Sequence, residues 1–142
     1  MQTLKIKRIH PLAKLPEYAH PGDAGMDLFA VAKLTLAPGQ SALVKTGLTI
    51  ELPDGTEAQI RPRSGLALNH QLTVLNSPGT IDHGYRGEVG VILMNHGTKS
   101  FEIEPGMKIA QMVIAPVMNV NIEEADLTES RRGEGGFGST GV

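Results

Sequence analysis

Apolar and polar residues trade places along this chain in short bursts, most of them closed by a proline–glycine pair. Thr35-Leu36 and Leu48-Thr49-Ile50-Glu51-Leu52 alternate with period two, so their polar and apolar side chains take opposite faces of a half-buried strand. Pro21-Gly22, Pro38-Gly39, Pro53-Asp54-Gly55, Pro78-Gly79 and Pro105-Gly106 suit turns in which proline presets φ and glycine accepts a positive one. Between these breaks the pattern predicts strands over 4–9, 26–32, 34–37, 42–52, 57–61, 72–75, 89–95, 100–103 and 108–117. Val91-Ile92-Leu93-Met94 is apolar on both faces, which predicts a central strand covered on both sides. A single short helix is predicted over 64–69, capped by Ser64. There is no internal repeat and no dividing linker. The expectation is an all-β fold, a jelly-roll-like β-sandwich or barrel with one short helix.

Composition narrows the picture. At 142 residues the chain suits one domain, and with no cysteine it has no disulfide, thiolate nucleophile or Cys-based zinc site. Thirteen basic residues against fifteen acidic ones leave a net charge of −2, too balanced for a general nucleic-acid or membrane-surface binder. Only two tyrosines and three phenylalanines are present, so the core is built from Val, Ile, Leu, Met and Ala, and a base-stacking platform is disfavoured. The run Met1-Gln-Thr-Leu-Lys-Ile-Lys-Arg mixes charge with apolar residues, unlike a signal peptide, and no stretch approaches the ~20 apolar residues of a membrane helix. The expectation is a soluble, cytoplasmic protein with no nucleic-acid or membrane partner.

Residues 126–142 read differently from residues 1–125. An acidic stretch, Glu123-Glu124-Ala125-Asp126-Leu127-Thr128-Glu129, leads to Arg131-Arg132 and then to five glycines within residues 133–141. Such a segment holds no packed element by itself, so a flexible arm is predicted. It is either an idle tail or an anion-binding wrap. Glycines admit backbone N–H groups to oxygens, Ser139 and Thr140 add hydroxyls, Arg132 adds charge, and Phe137 offers a flat ring. The spacing imitates a phosphate loop, but the lysine is missing and no strand closely precedes it.

Three further groups carry candidate chemistry. In Arg61-Pro62-Arg63-Ser64-Gly65-Leu66-Ala67, two arginines on one strand face meet the free N–H groups of a helix start; an ordinary capped helix is the competing reading. In the stretch from Asn76 to Glu88, two strand-like runs flank a turn-rich hairpin tip containing Asp82, His83, Tyr85 and Arg86. Asp82 is either a general base for a water or a turn-forming side chain, and His83 is assigned no role. Asp27, entering an apolar strand, needs a partner, and Gln111, inside Lys108-Ile109-Ala110-Gln111-Met112, needs backbone, water or ligand to satisfy its amide. The five histidines show no metal-ligand spacing.

In order, Met26-Asp27-Leu28, Pro62-Arg63-Ser64-Gly65-Leu66-Ala67, Gly79-Thr80-Ile81-Asp82 with Tyr85-Arg86-Gly87-Glu88, Gly106-Met107-Lys108-Ile109-Ala110-Gln111 and Arg132-Gly133 with Gly136-Phe137-Gly138-Ser139-Thr140-Gly141 resemble the five motifs of the trimeric dUTPases. Lys108 stands where the family often has arginine and Gly84 where it often has aspartate. The resemblance implies a homotrimer with shared active sites. It also implies hydrolysis of dUTP to dUMP and pyrophosphate, keeping uracil out of DNA and supplying dUMP for dTMP synthesis. Mg²⁺ would be held mainly by the triphosphate, with Asp27 touching it through water. Asp82 would activate the water and Gln111 place it. Arg63, Ser64 and Gly65 would hold phosphates, Ser64 stabilising the leaving oxygen. Asn76, Gly79, Thr80, Ile81 and Gly90 would line the uracil site, and Tyr85 would pack under the deoxyribose. From the arm, Arg132, Gly138, Ser139 and Thr140 would close on the phosphates while Phe137 stacks on uracil. A dCTP deaminase-like enzyme or a non-catalytic nucleotide-binding protein of the same fold is the alternative.

Overall fold

A computed structural model describes residues 2–142. Its strands are β1 (Lys5–Arg8), β2 (Glu17–Tyr18), β3 (Gly25–Phe29), β4 (Leu34–Leu36), β5 (Ser41–Lys45), β6 (Leu48–Glu51) and β7 (Thr56–Arg61). Helix α1 (Ser64–His70) follows, then β8 (Leu72–Val74), β9 (Gly79–Ile81), β10 (Gly90–Asn95), β11 (Phe101–Ile103) and β12 (Lys108–Pro116). A five-stranded sheet in the order β2-β3-β12-β7-β9 packs over a three-stranded sheet β5-β10-β8, with the small ladders β1-β6 and β11-β4 closing the edges. Every pairing is antiparallel. This is the expected jelly roll.

The core between the sheets is aliphatic, as the composition requires. Leu28, Leu36, Leu72, Val91, Leu93, Ile103, Ile109 and Met112 are buried there, and among the described aromatics only Phe29 is buried. Burial of a side chain of this kind stabilises by about 1.5–3 kcal/mol, and alternation along each strand decides which side chains gain it. In β3, Met26 and Leu28 enter the core, which turns Asp27 to the outer face of the five-stranded sheet. The same alternation in β12 and β7 sends Met112 and Ile60 inward. Among the described residues no helix is long and apolar enough to cross a membrane.

Four local expectations differ from the structure. The strand predicted over 42–52 is two, β5 and β6, broken at Thr46-Gly47. There Gly47 has φ +71°, the buried Thr46 hydroxyl donates to the Val89 carbonyl at 2.6 Å, and the Gly47 N–H donates to Glu88 Oε2 at 2.9 Å. β10 is central but covered on one face only: Val91, Leu93 and Asn95 are buried, whereas Gly90, Ile92 and Met94 are half-buried. Pro78-Gly79 is not a positive-φ turn like those at Gly22, Gly39, Gly55 and Gly106; Gly79 opens β9 and pairs with Ile60. Finally, Ser64 does not cap α1. Arg63 is the N-cap residue in an extended conformation (φ −88°, ψ 130°), no side chain caps the helix, and Ser64 is already its first helical residue.

Candidate active site

The connection between β8 and β10 is the predicted hairpin with an elaborate tip, and its tip crosses to the other sheet. β8 pairs with β10, while β9, inside the connection, pairs with β7. Ile60 and Val74 from the flanking strands, Asn76, Gly79, Asp82 and Tyr85 from the tip, and Gly90 on the return line a cavity of about 270 Å³. Thr80 and Ile81 line it too, so seven of the residues singled out in the sequence share this one space. The space depends on glycine at Gly79, where a Cβ would lie 3.2 Å from the Ile60 Cβ and 3.4 Å from the Asn76 amide.

At the cavity's lip the Tyr85 ring folds across Gly87, and its hydroxyl donates to the Glu88 carbonyl at 3.0 Å. A Cβ on Gly87 would overlap the Tyr85 hydroxyl and ring. Asp82 is exposed at the same lip and its carbonyl accepts the Tyr85 N–H at 3.1 Å, so carboxylate and ring belong to one tight turn. Arg86 braces that turn through the His83 carbonyl at 3.0 Å and Glu51 at 3.5 Å, and His83 Nε2 lies 3.2 Å from Asp54. Leu43, Lys45 and Ile92 also line the cavity and were not singled out in the sequence. They arrive from β5 and β10 through the pairs Leu43↔Ile92 and Lys45↔Gly90, and local spacing carries no signal of such register.

A second group forms on the outer face of the five-stranded sheet. Glu17, Asp27, Gln111 and Arg61 stand in register across β2, β3, β12 and β7. Asp27 is 4% exposed and meets two cations, Arg63 Nε at 3.6 Å and Lys108 Nζ at 3.2 Å. The expected arginine partner is present, and a lysine accompanies it. Gln111 is half-buried over Gly25, where a Cβ would come within 3.0 Å of its Oε1. The two arginines turn to different partners, because Arg61 Nη2 donates to Gln59 at 2.7 Å while Arg63 reaches Asp27. Ser64 and Gly65 lie exposed at the start of α1, with no acidic residue in its first turn. None of Asp27, Arg63, Ser64, Gly65 or Gln111 lines the hairpin cavity.

The glycine-rich end makes turns of its own. Gly135, Ser139 and Gly141 donate to the carbonyls of Arg132, Gly136 and Gly138, and Arg132 Nε donates to the Gly135 carbonyl at 2.7 Å. Phe137 is fully exposed with φ +49°, and Gly138 and Thr140 are exposed beside it. No residue of this end lines the cavity. Within one chain the residues singled out in the sequence therefore occupy three places.

The family model described as dUTPase matches residues 12–141. Over 143 residues the chain is 66% identical to a deoxyuridine 5'-triphosphate nucleotidohydrolase of Alkaliphilus metalliredigens, covering 100% of this chain and 99% of that protein. It is 66% identical to the enzyme of the same name from Clostridium tetani, covering 98% of this chain and 97% of the other. Among solved structures, a Staphylococcus bacteriophage 80alpha dUTPase variant with dUpNHpp superposes with a TM-score of 0.93 at 29% identity, covering 100% of both chains. A dUTPase variant from phage phi11 of S. aureus, described for its coordination of a structural Mg(II) ion, superposes with a TM-score of 0.84 at 26% identity. That likeness covers 91% of this chain and 100% of the phage protein.

Proposed function

The chain belongs to the dUTPase family and hydrolyses dUTP, and we propose that Asp82, at the lip of the hairpin cavity, activates the attacking water. The observation that carries this is the single turn uniting Asp82 with Tyr85 beside a cavity sized for a nucleoside. The Asp82 carboxylate takes a proton from water as the water attacks the α-phosphorus. The α–β bridging bond then breaks, and dUMP and pyrophosphate leave. Gln111 orients the water. Arg63, Ser64 and Gly65 hold the phosphates, and the Ser64 hydroxyl, without a hydrogen-bond partner among the described residues, meets charge on the leaving oxygen. Most of the acceleration is positioning and preorganised electrostatics, as in other phosphoryl transfers.

The uracil edge pairs with the backbone of the hairpin near Gly90 and with Asn76, over a floor of Gly79, Thr80 and Ile81. The Tyr85 ring packs beneath the deoxyribose and leaves no room for a 2′-hydroxyl. A methyl in an apolar slot is discriminated only ~10–200-fold, so steric closure and unpaired polar groups supply the remaining selectivity against thymine. Residues 126–142 close as an arm, with Arg132, Ser139 and Thr140 on the γ-phosphate, Gly138 beside them and Phe137 on the base. Closure of this kind excludes water.

Mg²⁺ suits this donor set. Among the described residues no three His, Asp or Glu side chains gather to cage a metal, and both Asp27 oxygens already face cations. Asp27 would contact a triphosphate-bound ion through water, the arrangement Mg²⁺ commonly adopts. When bound, the ion neutralises charge on the phosphate oxygens.

The working unit is a homotrimer. Beyond β12, Met118, Val120 and Ile122 alternate with asparagines, and all three are exposed in the single chain, as is Leu127. A period-two apolar row without a cover suits pairing with another copy of the chain. It would also bring the three separated groups of site residues together between subunits.

The direct test is Asp82→Asn. Turnover of dUTP should fall about 10²–10⁴-fold while dUpNHpp binding is retained. Near-normal turnover would remove Asp82 as the base.

A further inference from the structure

Lys108 has no role in the mechanism above, yet it holds the one acidic side chain that is buried among the described residues. Its Nζ lies 3.2 Å from Asp27 Oδ2, within direct ion-pair contact, while Arg63 Nε stands 3.6 Å from Oδ1, beyond hydrogen-bonding distance. The lysine reaches that place through an irregularity. Positions 108 and 111 are three apart, so an unbroken strand would put them on opposite faces. β12 instead shifts register between Lys108 and Ala110: Gln111 opposes Asp27, Ala110 opposes Leu28 and Lys108 opposes Phe29, which leaves Ile109 as the extra residue. Ile109 and Ala110 are consecutively buried, and Lys108 emerges on the face that carries Asp27 and Gln111. Re-aiming one side chain is what a β-bulge does.

We infer that Lys108 is a positioning residue for nucleotide binding: it neutralises Asp27 so that the Arg63 guanidinium is free to turn to the phosphates. This rests on the reading of Arg63 as a phosphate contact. A carboxylate removed from water must keep a counter-charge. With Lys108 in place, Asp27 keeps one after Arg63 leaves. Without it, Arg63 is the only cation on Asp27 among the described residues, and binding a phosphate means stripping a buried charge of its partner. The Arg63 side chain is a third exposed and Lys108 less than half, so both are screened by solvent and the effect on binding is moderate.

The test is calorimetric titration of the full-length protein with dUpNHpp in EDTA, which keeps Mg²⁺ out of the comparison. Lys108→Met should weaken binding about tenfold, a change of about 1.4 kcal/mol. Lys108→Arg restores a cation and should bind within about threefold of wild type. Asp27→Asn combined with Lys108→Met removes the carboxylate's claim on Arg63 and should also return to within about threefold. The double variant carries no buried charge, so it folds where Lys108→Met alone is compromised. If the double variant binds as weakly as Lys108→Met, or if Lys108→Met binds like wild type while Arg63→Ala is weakened, the inference is overturned. If Arg63→Ala itself binds like wild type, the phosphate reading falls and takes this inference with it.

Discussion

Gly87→Ala is a small change that tests the role proposed for Tyr85 in substrate choice. Gly87 is not among the positive-φ glycines, so its backbone accepts alanine without strain. What excludes the methyl group is Tyr85, whose ring and hydroxyl lie where the new Cβ must go. The ring is about half exposed and can swing outward. It then loses the 3.0 Å bond to the Glu88 carbonyl, worth about 0.5–1.5 kcal/mol net, and leaves its rotamer at a cost of about 0.5–1.5 kcal/mol. Together these cost the folded state about 1–3 kcal/mol, and losing a similar amount of support for the proposed sugar contact would lower kcat/KM for dUTP roughly 5- to 150-fold. On the proposal that the ring is also the barrier to a 2′-hydroxyl, the dUTP/UTP ratio of kcat/KM should fall with it. The fold bears the same cost of about 1–3 kcal/mol, so Tm should fall by a few degrees. The assay is steady-state pyrophosphate release with both nucleotides, beside a melting curve. A variant that keeps both its kcat/KM and its dUTP/UTP ratio within twofold of wild type would refute the assignment of Tyr85 to the sugar.

Asn95→Leu should destabilise the fold without touching chemistry. The buried Asn95 amide donates to the Leu36 and Lys99 carbonyls and its oxygen accepts the Gly97 N–H, so leucine strands three backbone groups at a cost of roughly 2–4 kcal/mol. A drop in Tm of about 5–15 °C is expected, and a change under about 2 °C would mean water replaces the amide. Truncation after Glu129 should cut turnover at least about tenfold while light scattering still reports the proposed trimer; loss of a wild-type trimer on truncation would make the arm structural. On the proposal that the substrate carries the metal, chelation by EDTA should abolish turnover reversibly and leave the melting curve unchanged.

The chain alone determined the fold class and most of its strands, since a buried face imposes period two and each Pro-Gly pair has a local conformational cause. It also identified the hairpin residues, because Asn76, Asp82 and Tyr85 lie within one short connection and local sequence keeps them together. Two short strands escaped it. Glu17–Tyr18 has no buried side chain to mark it, and Gly79–Ile81 is a strand only because β7 lies beside it. Tertiary structure decided the rest, for a physical reason common to every case: which side chains meet depends on register between distant strands. That register puts Lys45 and Leu43 into the cavity opposite Gly90 and Ile92. It aligns Asp27 with Gln111, and through one extra residue at Ile109 it turns Lys108 from the face its spacing assigns to the face where Asp27 is buried.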